Sequence, residues 1–291
     1  MIPIKQPHIE YLARKILPQL GLELEDLDGF TCCPDPIWFR SIDNLTWMSV
    51  AARNLCVAEE RGLDILTLCN ACAGVLTETN ALLKKDAKTR TKVNEILKEI
   101  GHEFHGSIKI RHVLDVLDKD IEREKIQSLV KRELTALNVA THTGCHLIRP
   151  HEIMQFDDPE DPKVFDKLVS ILGANPVNYT LKTQCCGFSM ALSYLDASSA
   201  ATRDKLMSVR EAGADCLVVG CPACFQQLDT GQLLALRAFE LNFKIPVLNY
   251  LQLLGLAMDY SLDEVGYNTH KIKDTNFEKK VLPENNTLKY I

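Results

Sequence analysis

The chain has 291 residues and a formal net charge of −6. That length gives room for two modest cores, and mild acidity without a basic stripe excludes nucleic acid as the main partner. The longest apolar stretch, residues 247–258, carries Asn249 and Gln252 and is too short to cross a bilayer, so no direct membrane insertion is expected. No charged-then-apolar leader opens the sequence. Eleven cysteines, an odd number, then predict reduced thiolates in a cytoplasmic protein rather than a disulfide framework.

In chain order, apolar periodicity predicts a helix over 9–20, a short extended run over 23–27, and a turn at Gly29 and Cys32-Cys33-Pro34. A long helix follows over 41–61, with Leu45, Met48, Ala52 and Leu55 on one face, then a strand over 64–68 that ends at Cys69. Residues 73–134 read as mostly helical, with the charged stretch 84–98 a solvated face. A strand over 137–143 delivers Gly144-Cys145, and 157–162 is an acidic, proline-bearing exposed turn. A helix (163–172), a strand (177–181), the Cys185-Cys186-Gly187 turn, a helix (190–210) and a strand (216–219) running into Cys221 complete the pattern. The polar tail after Asp259 is expected on the surface or against a partner. Strands alternating with helices imply an α/β fold with parallel sheets and ligands gathered beyond the strand C-termini.

The cysteines repeat. Cys32, Cys33, Cys69 and Cys72 in the first half match Cys185, Cys186, Cys221 and Cys224 in the second, where Cys145 stands ahead of them. The gap from Cys33 to Cys69 is 36 positions, and from Cys186 to Cys221 it is 35. The neighbours repeat too: Gly62-Leu63-Asp64 before Cys69 matches Gly213-Ala214-Asp215 before Cys221, and Ile110–Leu114 matches Val247–Leu251. Two domains are expected, 1–134 and 135–291 with its C-terminal tail. Three thiolate chemistries compete: a thioredoxin-like redox pair, structural zinc and an iron–sulfur cluster. The redox pair leaves the vicinal cysteines unused. Zinc is one atom, and adjacent cysteines in extended backbone point apart. A cluster offers several irons, so neighbouring cysteines can each take a different one.

With both gaps in the thirties, this arrangement resembles the cysteine-rich CCG domain, and two copies in one chain resemble the B subunit of heterodisulfide reductase from methanogenic and related archaea. The likeness covers nearly the whole chain, including Cys32-Cys33-Pro34, the helix around Ala51–Cys56, Cys69-Asn70-Ala71-Cys72, Cys185-Cys186-Gly187 and Cys221-Pro222-Ala223-Cys224. It implies two pseudo-twofold-related CCG domains, each a small parallel sheet flanked by helices. It also implies two noncubane [4Fe-4S] clusters, the first on Cys32, Cys33, Cys69 and Cys72, the second on Cys145, Cys185, Cys186, Cys221 and Cys224. The implied reaction is reductive cleavage of the coenzyme M–coenzyme B disulfide in methanogenesis. The implied partners are the enzyme's ferredoxin-like [4Fe-4S] C subunit, its flavin-containing A subunit, and a hydrogenase or formate dehydrogenase. The rival readings are another CCG redox subunit, of the thiol:fumarate reductase or lactate or glycerol-phosphate oxidation type, and a non-catalytic zinc-bound interaction protein.

The first half departs from the second. Aligning Pro7-His8 with Pro150-His151 leaves no counterpart of Cys145 or of its strand, and a segment ahead of residue 1 is the expected source. Beside the lattice, Cys56 and Cys216 are expected as buried core thiols. His142, His146 and Arg149 surround Cys145 and are candidates for binding the anionic groups of the coenzymes, with Lys5 and His8 in the matching place of the first half. His102 and His105 are expected on the surface.

Overall fold

The protein, described by a computed structural model over residues 2–282, contains two parallel sheets. The first pairs β1 (Ile65–Thr67) with β2 (Ile110–His112). The second is built from β3 (Asn138–His142), β4 (Asn175–Val177), β5 (Cys216–Val219) and β6 (Val247–Asn249), in the order β4-β3-β5-β6. All pairings are parallel, so every crossover carries at least one helix. The fold is α/β, with helices flanking both sheets. β1-β2 repeats β5-β6: β1 runs toward Cys69 and β5 toward Cys221. β2 and β6 each end on a residue that caps the next helix, His112 accepting from Leu114 N and Asn249 from Leu251 N.

Local chemistry sets the boundaries. β5 is apolar throughout and fully buried, as a central parallel strand must be. Pro176 sits in β4, at the sheet edge, where its missing N–H costs no ladder bond. The helix predicted over 41–61 is two helices, Trp38–Ile42 and Asn44–Arg61, because Asp43 accepts from Thr46 N and starts a new one. On the second helix Met48, Ala52 and Leu55 are buried, but Leu45 is exposed.

Other boundaries differ from expectation. Residues 23–27 form no strand, since no neighbouring strand takes up their backbone groups. The strand expected over 177–181 lies at β4 instead, and residues 180–183 form a turn, with Lys182 N bonded to Tyr179 O. β2 interrupts the helical stretch after residue 73. The helix predicted over 190–210 runs Leu195–Glu211, after a short 3-10 turn at Phe188–Met190. The tail is not simply superficial. Val265, Tyr267, Phe277 and Val281 are buried, and the rings of Tyr267 and Phe277 lie 5.4 Å apart. Residues 283–291 lie outside the described residues.

The two halves are laced together. The helix Pro7–Ile16 buries Ile9, Leu12 and Ile16 in a core shared with Leu251, Leu254 and Val265 of the second half. Burying each of these side chains contributes about 1.5–3 kcal/mol. Gln6 Nε2 donates to Pro222 O at 2.8 Å, and His8 packs edge-on against Phe225. In return, the short helices Cys145–Ile148 and His151–Met154 lie on the first-half helix Asn70–Lys85. Contact there is close: a Cβ on Gly74 would come within 2.9 Å of His146 O.

Candidate metal centre

Strand ends and helix starts bring the cysteines together. Cys69 and Cys221 follow β1 and β5 and are the extended N-cap residues of the helices Asn70–Lys85 and Pro222–Ala238. Cys72 and Cys224 lie in the first turns of those helices. β3 leads into Gly144-Cys145, where Gly144 has φ of 84°. A Cβ at Gly144 would approach Asn70 Nδ2 within 2.5 Å and Cys224 Sγ within 3.7 Å, so only glycine lets Cys145 reach its neighbours. The vicinal pairs arrive on loops that precede the helices Asn44–Arg61 and Leu195–Glu211.

The nine lattice cysteines form one continuous run of thiol contacts. Cys32 and Cys33 reach Cys72, Cys72 reaches Cys69, and Cys69 reaches Cys221 across the junction of the halves. Cys221 reaches Cys224, Cys224 reaches Cys186, Cys186 reaches Cys185, and Cys185 reaches Cys145. The run begins at the exposed Cys32 and passes through the buried Cys186, Cys221 and Cys224.

Three of these sulfurs are shifted toward the thiolate. Hydrogen bonds from Cys224 and then Cys69 hold Cys221 far below the usual thiol range, helped by backbone N–H groups at the helix start. Cys145 and then Cys186 pull Cys185 down to about 2, and Gly187 N donates to its sulfur at 3.4 Å. Cys72 brings Cys32 down to about 6. The donating thiols are pushed up in return, Cys186 to about 12 and Cys69, Cys72, Cys145 and Cys224 upward as well. Cys56 and Cys216 take no part. Both are fully buried in apolar cores, and burial raises both thiols.

His142 joins the second set. A ring nitrogen of His142 and the sulfurs of Cys186 and Cys224 all lie within 4.8 Å of one another, the one such group of three possible ligands among the described residues. His142 Nδ1 faces Lys182 O at 3.4 Å and so carries the proton, while Nε2 is buried without a partner. Burial brings this imidazole down to about 3. Asn70 Oδ1 and Thr143 Oγ1 are likewise buried and unpartnered nearby. A packed set of cysteine sulfurs with an unprotonated His142 Nε2 and an unpartnered Thr143 hydroxyl beside it fits a sulfide-bridged iron centre, which would supply a cationic partner for the sulfurs and an acceptor for the hydroxyl.

A cavity of about 360 Å³ opens beside Cys145, lined by Ile37, Arg40, Glu78, His146 and Arg149 among others. Arg40 forks onto Glu78 with contacts of 2.5 and 2.9 Å. Arg149 donates to Pro159 O at 2.9 Å and to Glu160 at 3.2 Å. His146 and Arg149 thus line an open cavity. His142 does not; it is walled off behind the thiols. His8 is also displaced from its expected role, since it is buried against Phe225 and His270, whereas Lys5 is exposed. His102 pairs with Glu60 near the surface, and His105 is exposed.

Sequence reasoning missed Arg40 and Lys205. Nothing in the spacing marks Arg40. Lys205 carried a signal, because it lies on the buried stripe Ser198, Thr202, Lys205, Val209 of its helix, where a lysine is out of place.

The chain matches the cysteine-rich domain family (CCG) over residues 2–77 and 139–229. It is 40% identical over 283 residues to the B subunit of the ferredoxin/F420H2-dependent CoB–CoM heterodisulfide reductase of Methanosarcina acetivorans, covering 97% of this chain and 94% of that one. A protein of Archaeoglobus profundus that is itself described as like the heterodisulfide reductase B subunit is 38% identical over 91% of the chain and 90% of its own length. The 8-methylmenaquinol:fumarate reductase membrane anchor subunit of Wolinella succinogenes is 32% identical over 89% of the chain and 90% of its own length. No helix among the described residues is long and apolar enough to cross a membrane. The fold is also that of a hypothetical protein from Helicobacter pylori, with a TM-score of 0.71 and 16% identity over 92% of this chain and 49% of that one. With two matched cysteine-rich segments and near-full-length identity at this level, the chain belongs to the CCG-domain family of heterodisulfide reductase B subunits, a family of redox proteins.

Proposed function

We propose that the chain is the disulfide-cleaving subunit of a cytoplasmic CoB–CoM heterodisulfide reductase. It holds two noncubane [4Fe-4S] clusters, one on Cys32, Cys33, Cys69 and Cys72 and the other on Cys145, Cys185, Cys186, Cys221 and Cys224. The two CCG units divide between residues 134 and 135. The observation that carries the reading is the unbroken run of nine thiols from Cys32 at the surface to Cys145 at a cavity bearing Arg40, His146 and Arg149.

When bound, such clusters supply electrons one at a time and iron sites open to sulfur, which is what splitting one S–S bond into two thiols requires. The protein's own groups do the rest. Burial of Cys186, Cys221 and Cys224 keeps water from the centre. Arg149, Arg40 and His146 attract and orient a small anionic disulfide toward Cys145. Electrons arrive through the ferredoxin-like C subunit, which receives them from the flavin-containing A subunit. A hydrogenase or formate dehydrogenase feeds the flavin.

The anaerobically purified chain is expected to hold near eight irons with equal acid-labile sulfide, and its complex with the donor subunits to reduce the mixed disulfide with electrons from a reduced dye. Colourless protein holding only zinc overturns the reading. The Wolinella relative favours one alternative, a CCG protein serving fumarate reduction, which turnover with fumarate but not with the disulfide would establish.

A further inference from the structure

Lys205 is buried completely, yet it has no carboxylate partner among the described residues. Its Nζ donates to Leu181 O at 2.6 Å and lies 5.5 Å from the ring centre of Tyr179. One turn earlier on its helix, Thr202 Oγ1 donates to Cys186 O at 3.4 Å, and Leu181 lies four positions before Cys185, so Lys205 stands beside the second pair of cysteines. Burial lowers its ammonium to about 8, and the neighbouring sulfurs act against that shift. A buried, unpaired cation is costly unless something negative compensates it, and an anionic cluster on those cysteines would do so.

The first half differs at the matching place. Lys205 lies eight positions before Gly213, which follows its helix, and Asn54 lies eight positions before Gly62, which ends the corresponding helix. Asn54 is also fully buried, and it also ties its helix to the loop leading into the paired cysteines, accepting from Thr31 N at 3.1 Å and donating to Thr31 O at 2.9 Å. The tie is thus kept in both halves, but only the second carries a charge. Arg53, the neighbouring cation, turns instead toward Asn54 Oδ1 from a half-buried position.

Resting on the cluster reading given above, we propose that Lys205 is a positioning charge that makes the second iron–sulfur centre easier to reduce than the first. One electron added to a cluster adds one negative charge, and a cation held within the same dry shell stabilises that charge more than water-screened surface groups do. The neutral Asn54 gives the first centre no such help. An electron delivered to the pair by the donor proteins therefore settles on the second centre, beside the cavity that holds Cys145, His146 and Arg149.

Redox titration of the holo complex, followed by electron paramagnetic resonance, tests the proposal. The signal lost in Cys145→Ala identifies the second centre. In Lys205→Met that signal should shift to lower potential, the other should stay in place, and iron content should be unchanged. Lys205→Arg should restore the wild-type value, a rescue that a merely structural role does not predict. An unshifted second signal in iron-replete Lys205→Met overturns the proposal. If Lys205→Met loses iron, Lys205→Gln, which can keep the bond to Leu181 O, is titrated instead. Loss of iron from both also overturns it, because the lysine would then be needed to hold the site rather than to tune it. Wild-type protein free of iron would instead refute the cluster reading itself.

Discussion

Cys69 and Cys221 stand side by side at the junction of the two halves, Cys69 pushed up by Cys221 and Cys221 pulled down by Cys224 and then Cys69, and so they link the first cysteine set to the second. Each of the two is the N-cap residue of its C-x-x-C helix, so two helix N-termini converge on one pair of sulfurs. Their partial positive charges favour thiolate there.

Cys221→Ser should consequently disturb both centres, whereas Cys145→Ala should disturb only the second. Iron analysis and Mössbauer spectra of the two variants check this. A first-centre spectrum unchanged by Cys221→Ser would show that the contact carries no electronic consequence.

Cys56 offers the complementary control. It is buried among Ala52, Leu55 and Leu76, and burial holds its thiol near 12. Cys56→Ala should cost about 1 kcal/mol of stability and leave iron content at the wild-type level. Iron loss matching that of Cys186→Ala would contradict the ligand set.

Arg149 holds only backbone oxygens and an exposed Glu160 in the free protein. Arg149→Gln should raise KM for an anionic disulfide about tenfold, the equivalent of about 1.4 kcal/mol, with kcat little changed. A drop in kcat at constant KM would place Arg149 in the chemical step instead.

Gly74 is a helical glycine, and replacing one with alanine ordinarily gains about 1 kcal/mol of helix propensity. Here the opposite is expected. The Cβ would strike His146 O, a backbone atom that cannot rotate away, so Gly74→Ala should cost about 1–3 kcal/mol. Denaturant unfolding of the variant measures it.

His8 and His270 are buried and held neutral by burial, at about 4 and about 3. Once unfolded, each binds a proton near pH 6.5. The unfolded chain therefore binds more protons than the folded one between pH 6.5 and about 4, and stability falls as the pH drops through that window. Each histidine contributes at most about 1.4 kcal/mol per pH unit. Denaturant midpoints at pH 7 and pH 5 should differ less in His270→Gln than in the wild type.

The cysteine lattice was legible because its chemistry fixes residue type and spacing together, and β5 because four apolar residues bounded by Asp215 and Gly220 leave few alternatives. The lacing of the halves was not legible. The helix Pro7–Ile16 displays an apolar stripe of Ile9, Leu12 and Ile16, but a stripe says that something covers it and not what. The partner, 250–257, is buried on every side, Gln252 included, and gives no direction. β4 misled because Val177 to Leu181 looks strand-forming, yet Lys182 is drawn into a buried ion pair with Asp166, which turns the chain. His142 was found for the right neighbourhood and the wrong face, since sequence adjacency to Cys145 does not tell inward from outward.

Because each half lends a segment to the other, neither buries its own apolar stripe without its partner. A single ancestral copy would have met the same need only by exchanging these segments with a second molecule, each covering the other's exposed stripe. Seen this way, the chain has the geometry of a segment-swapped dimer written into one polypeptide, with Cys69 and Cys221 at the junction of its two members.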